Sequence, residues 1–276
     1  MVDVAALVAY DGTTFHGYQM QRSEPTVQAS LEEALFSCCG ERMRVVGSGR
    51  TDTGVHASGQ VVSASVPWRH ALSDLQRAWN AHLPNTIAVR NLVEVPADFH
   101  PRFSAACRIY RYTVYDRGDM SDGDQFAFRS LPKVSPLTDQ FALYLPAKLD
   151  LEKMQMAVHQ LIGEHNFATF GQPPQGENTV RIIYEAGWQE VRSNLPVISD
   201  YPGRCLTFTI KANAFLRHMV RNIVGSLLVV GKNLAPPTYI SDLLNARDRS
   251  RCAAPAPPQG LVLEKVVYPS NIDPWR

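Results

Sequence analysis

Val2-Asp3-Val4-Ala5-Ala6-Leu7-Val8-Ala9-Tyr10 reads as a buried strand, closed by the turn dipeptide Asp11-Gly12. Downstream, a helix is predicted from about Thr26 to Cys38. Its apolar residues Val27, Leu31, Ala34, Leu35 and Cys38 fall at helical spacing, and Gly40 sits just past its end. Met43 to Val46 reads as a short strand, followed by a glycine-rich loop. Val61 to Val66 is a strand stopped by Pro67, Ser73 to Leu83 a helix opened by a Ser73 cap, and Ile87 to Val95 a closing strand. Strand, helix, strand, strand, helix, strand is the split β-α-β, ferredoxin-like plan, which RNA-recognition modules also use.

A second set of elements begins after Pro101. Phe103 to Tyr115 reads as a long strand with Ile109, Arg111, Thr113 and Tyr115 on one face. Arg117 to Pro136 reads as an exposed loop, Leu151 to Ile162 as a helix, and Pro173, Pro174 and Gly176 mark a further loop. Strands are expected at Val180–Val191 and Cys205–Lys211, helices at Phe215–Val230 and Pro237–Asn245, and a final strand at Leu261–Tyr268. The run containing Pro255, Pro257 and Pro258 is a stiff connector into that strand. The expectation is an α+β protein with two ferredoxin-like halves, residues 1–102 and 103–276. No residue-level repeat accompanies the duplication, which rests on element order alone.

Composition narrows the function classes. The 276 residues are 45% hydrophobic and 19% charged, enough to build a core and too apolar for wholesale disorder. With 27 Lys and Arg against 26 Asp and Glu, the formal charge is +1, so a nucleic-acid site must come from locally clustered arginines. Five cysteines without a Cys-x-x-Cys pair argue against zinc fingers, iron–sulfur clusters and a disulfide scaffold. Val4 to Ala9 is too short for a signal peptide, and no apolar run reaches the roughly 18 residues of a membrane span, so the expected location is the cytosol.

The strongest local feature is Gly47-Ser48-Gly49-Arg50-Thr51-Asp52-Thr53-Gly54-Val55-His56. Its glycines allow close backbone approach and positive φ, and they frame an acidic residue two positions after an arginine. An isolated Asp-Thr-Gly is usually a tight turn in which the aspartate caps its own backbone; the arginine and the glycine frame favour function here. Aspartic proteases also carry Asp-Thr-Gly but need two carboxylates sharing a proton, and this chain holds one copy. A hydrolytic glycosidase likewise wants a carboxylate pair, and Asp52 has no evident partner.

Two further segments bear on partners. In Lys211–Asn222, the predicted helix buries Leu216, Met219, Val220, Ile223, Val224 and Leu227 and sets Arg217 and Arg221 one turn apart. Like charges at that spacing suggest an external phosphate or a buried carboxylate, against the alternative of two solvated arginines. In Phe99-His100-Pro101-Arg102-Phe103 and Arg108-Ile109-Tyr110-Arg111-Tyr112, arginines alternate with aromatics. That pattern suits stacking and phosphate contact with RNA, and equally an ordinary exposed strand.

Together these segments resemble the tRNA pseudouridine synthase A family over nearly the whole chain. The resemblance lies in Tyr10 to Gln21, in Thr26-Val27-Gln28, in the Gly-Arg-Thr-Asp-x-Gly-Val-His segment at 49–56, and in Lys211 to Gly225. Tyr18 departs from it by standing where tryptophan is common. The resemblance implies isomerisation of uridines to pseudouridine at positions 38, 39 and 40 of the tRNA anticodon arm, without cofactor or metal. It places the catalytic aspartate at Asp52. It implies that Arg50 fills the space left by the flipped nucleotide, Tyr110 stacks on the uracil, Arg221 pairs with Asp52 and Leu261 packs on the base. Arg102, Arg108, Arg111 and Arg217 are expected at phosphates. The implied architecture is one continuous, mainly antiparallel sheet with helices on one face and a central cleft, assembled as a homodimer.

The chemistry agrees. The base must leave its stack and stay trapped while a C–N glycosidic bond is exchanged for a C–C bond, so one carboxylate suffices where water is excluded. Attack on the sugar, addition to the base and removal of a sugar proton are all open to Asp52. The competing class is a non-catalytic RNA-binding module.

Overall fold

The computed structural model describes residues 1–118, 138–173, 176–191 and 203–276. Beyond Gly118 the expected Arg117–Pro136 loop lies outside the described residues, as does Pro174. Two compact units are present: residues 1–108 with 262–276, and residues 109–261. The predicted division fell at 102/103 and kept residues 262–276 with the second half.

The first unit is a sheet carrying two helices. Its strands are β1 (Val2–Tyr10), the two-residue β2 (Val46–Gly47), β3 (His56–Val66), β4 (Ile87–Glu94) and, from the end of the chain, β10 (Leu261–Val267), which belongs to this unit from Val262. They run in the order β4-β1-β3-β10, with β2 on β3. β1 is antiparallel to both β3 and β4, whereas β10 runs parallel to β3, pairing Val262 with His56 and Leu263 with Ala57. β1 lies between two strands, with Val4, Ala6, Val8 and Tyr10 buried on one face and the other face, Ala5 apart, half-buried, which is why it reads as a nearly continuous apolar run. Helix α1 (Val27–Cys39) starts at Thr26, whose hydroxyl accepts from the Ala29 N–H, and stops at Gly40 in the left-handed region at φ +72. It buries Val27, Leu31, Ala34 and Leu35, as its spacing predicts. Helix α2 (Leu72–His82) packs beside it, and the Trp79 indole donates to the Leu31 carbonyl at 3.1 Å.

In the second unit the strands run in the order β5-β9-β8-β7, with β6 on β5. Here β5 is Cys107–Asp116, whose first two residues belong to the first unit; β6 is Leu143–Leu145, β7 Gly163–Asn166, β8 Val180–Val191 and β9 Arg204–Ala212. Helices α3 (Leu151–Val158), α4 (Met219–Gly231) and α5 (Tyr239–Ala246) complete it. α4 is buried nearly all round, with Leu227, Ile223 and Val224 fully enclosed.

Several expected boundaries move for identifiable reasons. β3 begins at His56 instead of Val61, because Gly59 and the buried Gln60 interrupt the apolar pattern while pairing with β1 continues past them through a register shift to Ala57. Met43–Val46 is not a strand; only Val46 and Gly47 pair, with Ser63 and Val62. The Ser73 cap is not formed: the cap position is Ala71, without a side-chain bond, and Ser73 lies inside the first turn. The strand expected from Phe103 starts at Cys107, since residues 100–104 form a turn. The Leu151–Ile162 helix turns into a 3-10 segment after Val158. Most consequential, the helix expected from Phe215 begins at Met219, because His218 takes φ +62, a left-handed conformation that ends helical continuity on its N-terminal side. β6 and β7 were not anticipated.

The second unit also contains a buried ion pair. Asp116 is fully buried and accepts from the Gly118 and Leu149 main-chain N–H groups at 3.0 and 2.8 Å and from Arg204 Nε and Nη2 at 3.0 and 2.5 Å. The Arg204 Nη2 also donates to the Leu149 carbonyl at 2.7 Å. Truncation would leave the Arg204 guanidinium, its side chain 18% exposed, without this counter-charge, so Asp116→Ala is expected to lower unfolding stability by about 3 kcal/mol, measured by urea denaturation.

Candidate active site

Residues 47–56 are moulded against the segment that follows β1. A Cβ on Gly12 would lie 2.1 Å from the Val55 carbonyl oxygen, and one on Gly17 would lie 2.8 Å from that of Thr51. Gly17 also has φ +89, which L side chains rarely adopt. The two glycines therefore let the 12–18 segment lie directly on the main chain flanking Asp52. Hydrogen bonds complete the seam: Tyr18 N–H donates to Thr51 O at 3.1 Å, and Gly54 N–H to Phe15 O at 3.3 Å. Within the loop, Val55 N–H closes a turn on Asp52 O at 3.1 Å, with Gly54 at φ +75.

Side chains anchor the same loop from beneath. The Tyr10 and Thr51 hydroxyls lie 2.8 Å apart, both buried. The Gln60 carboxamide accepts from Ser48 Oγ at 2.6 Å and donates to the Gly49 carbonyl at 2.9 Å. Gly12 N–H donates to His56 Nδ1 at 3.0 Å. Asp11 Oδ1 also lies 3.2 Å from that nitrogen, but one nitrogen cannot accept from Gly12 and donate to Asp11. The amide can only donate, so Nδ1 is the acceptor. Asp52 is half-buried on this base, and Arg50 projects into solvent.

Arg108 ties the loop to a neighbouring turn. Its Nη2 donates to the Ser48 carbonyl at 3.1 Å and to the Arg102 carbonyl at 2.6 Å. The structure thus gives Arg108, expected at a phosphate, a bridging position between two main-chain segments. Arg102 is half-buried in that turn. Arg50, Asp52, Arg102 and Arg108 all belong to the first unit.

The remaining expected residues belong to the second unit. Tyr110 is 9% exposed and meets the Phe215 ring edge-on at 5.1 Å and 87°. Arg221, in the first turn of α4, donates from Nε to the Ala256 carbonyl at 2.8 Å, and Ala256 N–H returns a bond to the Arg221 carbonyl at 2.9 Å. Arg217 does not share the helix with Arg221: it is exposed, precedes the helix cap, and bridges Gln172 through the main chain. The like-charge argument at helical spacing therefore does not apply. Leu261 is buried and follows a 3-10 turn, Pro258–Gly260, fixed by the Tyr112 hydroxyl on the Pro257 carbonyl at 2.8 Å. Arg111 is half-buried on β5.

Residues 6–104 and 157–269 match the family model for tRNA pseudouridine synthase. The chain belongs to the tRNA pseudouridine synthase family. The family is one of isomerases acting on tRNA. Among curated relatives, tRNA pseudouridine synthase A of Roseiflexus castenholzii is 40% identical over 272 residues, covering 98% of this chain and 92% of the relative. The proteins of the same name from Klebsiella pneumoniae and Thermotoga petrophila are 39% and 36% identical, covering 98% and 97% of this chain and 91% and 100% of theirs. Asp52, Arg221 and Leu261 lie within the matched segments, and Tyr110 lies between them. Among the described residues, no helix is long and apolar enough to cross a membrane.

Sequence reasoning passed over Tyr10 and Gln60, the buried supports of the loop. The available signal was a polar residue inside an otherwise apolar strand. Burial pushes the Tyr10 phenol up to about 12, against an ordinary value of 10. The unfolded chain therefore loses this proton first, and the contribution to stability is complete below pH 10 and disappears as pH rises towards 12. Tyr10→Phe is expected to cost about 1–2 kcal/mol at neutral pH by stranding the Thr51 hydroxyl. It should also shallow the fall in stability between pH 10 and 12, as followed by thermal melts across that range.

Proposed function

We propose that this chain converts uridines at positions 38, 39 and 40 of the tRNA anticodon arm into pseudouridine, with Asp52 as the catalytic carboxylate. The observation that carries the reading is the match to the family across both segments, with Gly49 to His56 falling where the family resemblance places its catalytic loop. Supporting it, the loop is moulded by glycine contacts and buried hydrogen bonds that serve no turn of this length by themselves, which is how a functional carboxylate is held in one orientation.

In this reading Arg50, exposed at the rim of the loop, takes the space vacated by the flipped nucleotide. The Tyr110 ring stacks on the uracil, with Phe215 bracing its edge, and Leu261 packs on the base. Arg221 neutralises the Asp52 carboxylate, and its attachment to the Ala256 carbonyl fixes the direction of the guanidinium. Arg102, Arg108, Arg111 and Arg217 meet phosphates. The bond from uracil N1 to the ribose breaks, C5 takes its place, and the C5 proton is released while N1 gains one. The atoms balance without a co-substrate, and no cofactor or metal is called for. We further propose that the two units are ferredoxin-like halves, that the protein is a homodimer because an L-shaped tRNA exceeds the reach of one copy, and that it acts in the cytoplasm.

Asp52→Asn separates shape from charge. Asparagine is nearly isosteric and keeps the turn, so the variant is expected to melt with the wild type. Its tRNA affinity should stay within about tenfold, or 1.4 kcal/mol, while no pseudouridine forms, as read by carbodiimide adducts and primer extension. A folded Asp52→Asn variant with substantial activity would reduce the carboxylate to a turn residue. Sedimentation equilibrium tests the dimer.

A further inference from the structure

The turn at residues 100–104 is built more firmly than a surface turn requires. His100 N–H donates to Ser104 Oγ at 3.2 Å, and Ser104 N–H returns to the His100 carbonyl at 2.9 Å. The His100 ring accepts the Arg102 and Phe103 N–H groups at Nδ1, at 3.1 and 3.3 Å. Tyr268 donates to the Pro101 carbonyl at 2.7 Å, and Arg108 to that of Arg102. All of these residues lie in the first unit.

What this frame presents is an aromatic ring in water. Phe103 is 76% exposed, the most exposed aromatic side chain among the described residues. The His100 ring lies 4.3 Å from it at 37°, and the Arg102 guanidinium 5.5 Å from its centroid. A single exposed apolar side chain is ordinary and needs no explanation. Here, however, the backbone under the ring is fixed by bonds at every residue from 100 to 104, and a cation stands beside the ring. An aromatic face already ordered, with a positive charge next to it, is what an unpaired nucleobase and its phosphate recognise. Arg108 bonds both this turn and Ser48, so the ring is tied through one side chain to the base of the Asp52 loop.

We propose that Phe103 is a stacking platform for an unpaired nucleobase of the substrate tRNA other than the isomerised uridine, with Arg102 holding the adjoining phosphate. The inference rests on the tRNA-modifying reading above and adds a binding contact to it. Phe103 is a binding residue and takes no part in the bond exchange.

The test measures binding and turnover separately on an unmodified tRNA transcript. Phe103→Ala is expected to raise the Kd and KM about tenfold while kcat at saturating tRNA stays within about twofold, the pattern of a contact equal in ground and transition states. Phe103→Trp should restore affinity, whereas Phe103→Leu, apolar but without a π face, should not. The slope of log Kd against log salt should be unchanged in Phe103→Ala and fall by about one in Arg102→Gln, since only the latter removes a phosphate contact. Binding to a fully paired RNA duplex should not respond to Phe103→Ala. Because the side chain lies largely in solvent, melting temperatures should match the wild type. Unchanged tRNA affinity in Phe103→Ala, or full rescue by leucine, overturns the platform. So does a shift of assembly state in sedimentation, which would assign the ring to a second copy of the chain. If the wild type itself forms no pseudouridine, the tRNA-modifying reading fails; if the wild type is active and Phe103→Ala binds as well as it does, only the platform fails.

Discussion

The absence of two side chains governs the region around Asp52. Where Gly12 and Gly17 stand, main chain runs against the carbonyls of Val55 and Thr51 at distances no Cβ could share. That contact joins the end of β1 to the loop carrying Asp52, and the same segment then delivers Thr26 to cap α1. Alanine at Gly17 would meet both the Thr51 carbonyl and an unfavourable φ, so neither side can relax alone. Loop, strand end and helix start form one unit of geometry, and the buried bonds from Tyr10 and Gln60 fix its depth.

The second unit uses the same device at Arg221. Gly225, one turn along α4, admits the Ala254 carbonyl, and Gly171 admits that of Arg217. The buried Asn222 donates to the Phe170 carbonyl at 2.6 Å and accepts from Arg249 at 3.0 Å. Two stretches of irregular backbone are thereby held to the start of one helix. The Phe170 carbonyl accepts from Asn222 and the Ala256 carbonyl from Arg221, while the Ala256 N–H donates to the Arg221 carbonyl.

Much of this was legible from residue patterns. β1, α1 and the buried stripe of α4 follow from apolar spacing, because burial selects those residues regardless of context. The candidate loop was legible through its glycines. What could not be read were features set by partners distant in sequence. The first residues of β3 carry a buried glutamine because Ser48 and Gly49 need it, and nothing local announces that need. His218 adopts a left-handed conformation that its residue type allows but does not demand, which moved Arg217 off the helix. Arg108 is read from arginines alternating with aromatics, a pattern that says nothing of the two carbonyls, of Ser48 and Arg102, to which its Nη2 donates.

The place of β10 has a consequence for how the chain is born. Its carbonyl at Glu264 lies against Gly59 and within 3.5 Å of Ser58 Oγ, a residue 206 positions earlier. At about 5–20 residues per second, synthesis of that interval lasts about 10–40 s. Throughout it, the first residues of β3, at His56 and Ala57, lack the strand that will pair with them on that edge, where β2 pairs only farther along at Val62 and Ser63, and β3 leads directly out of the Asp52 loop. An unpaired edge is the feature of a nascent sheet most open to wrong pairing. Gly59 narrows the choice, since only a strand whose carbonyl can enter the space of a missing Cβ fits there.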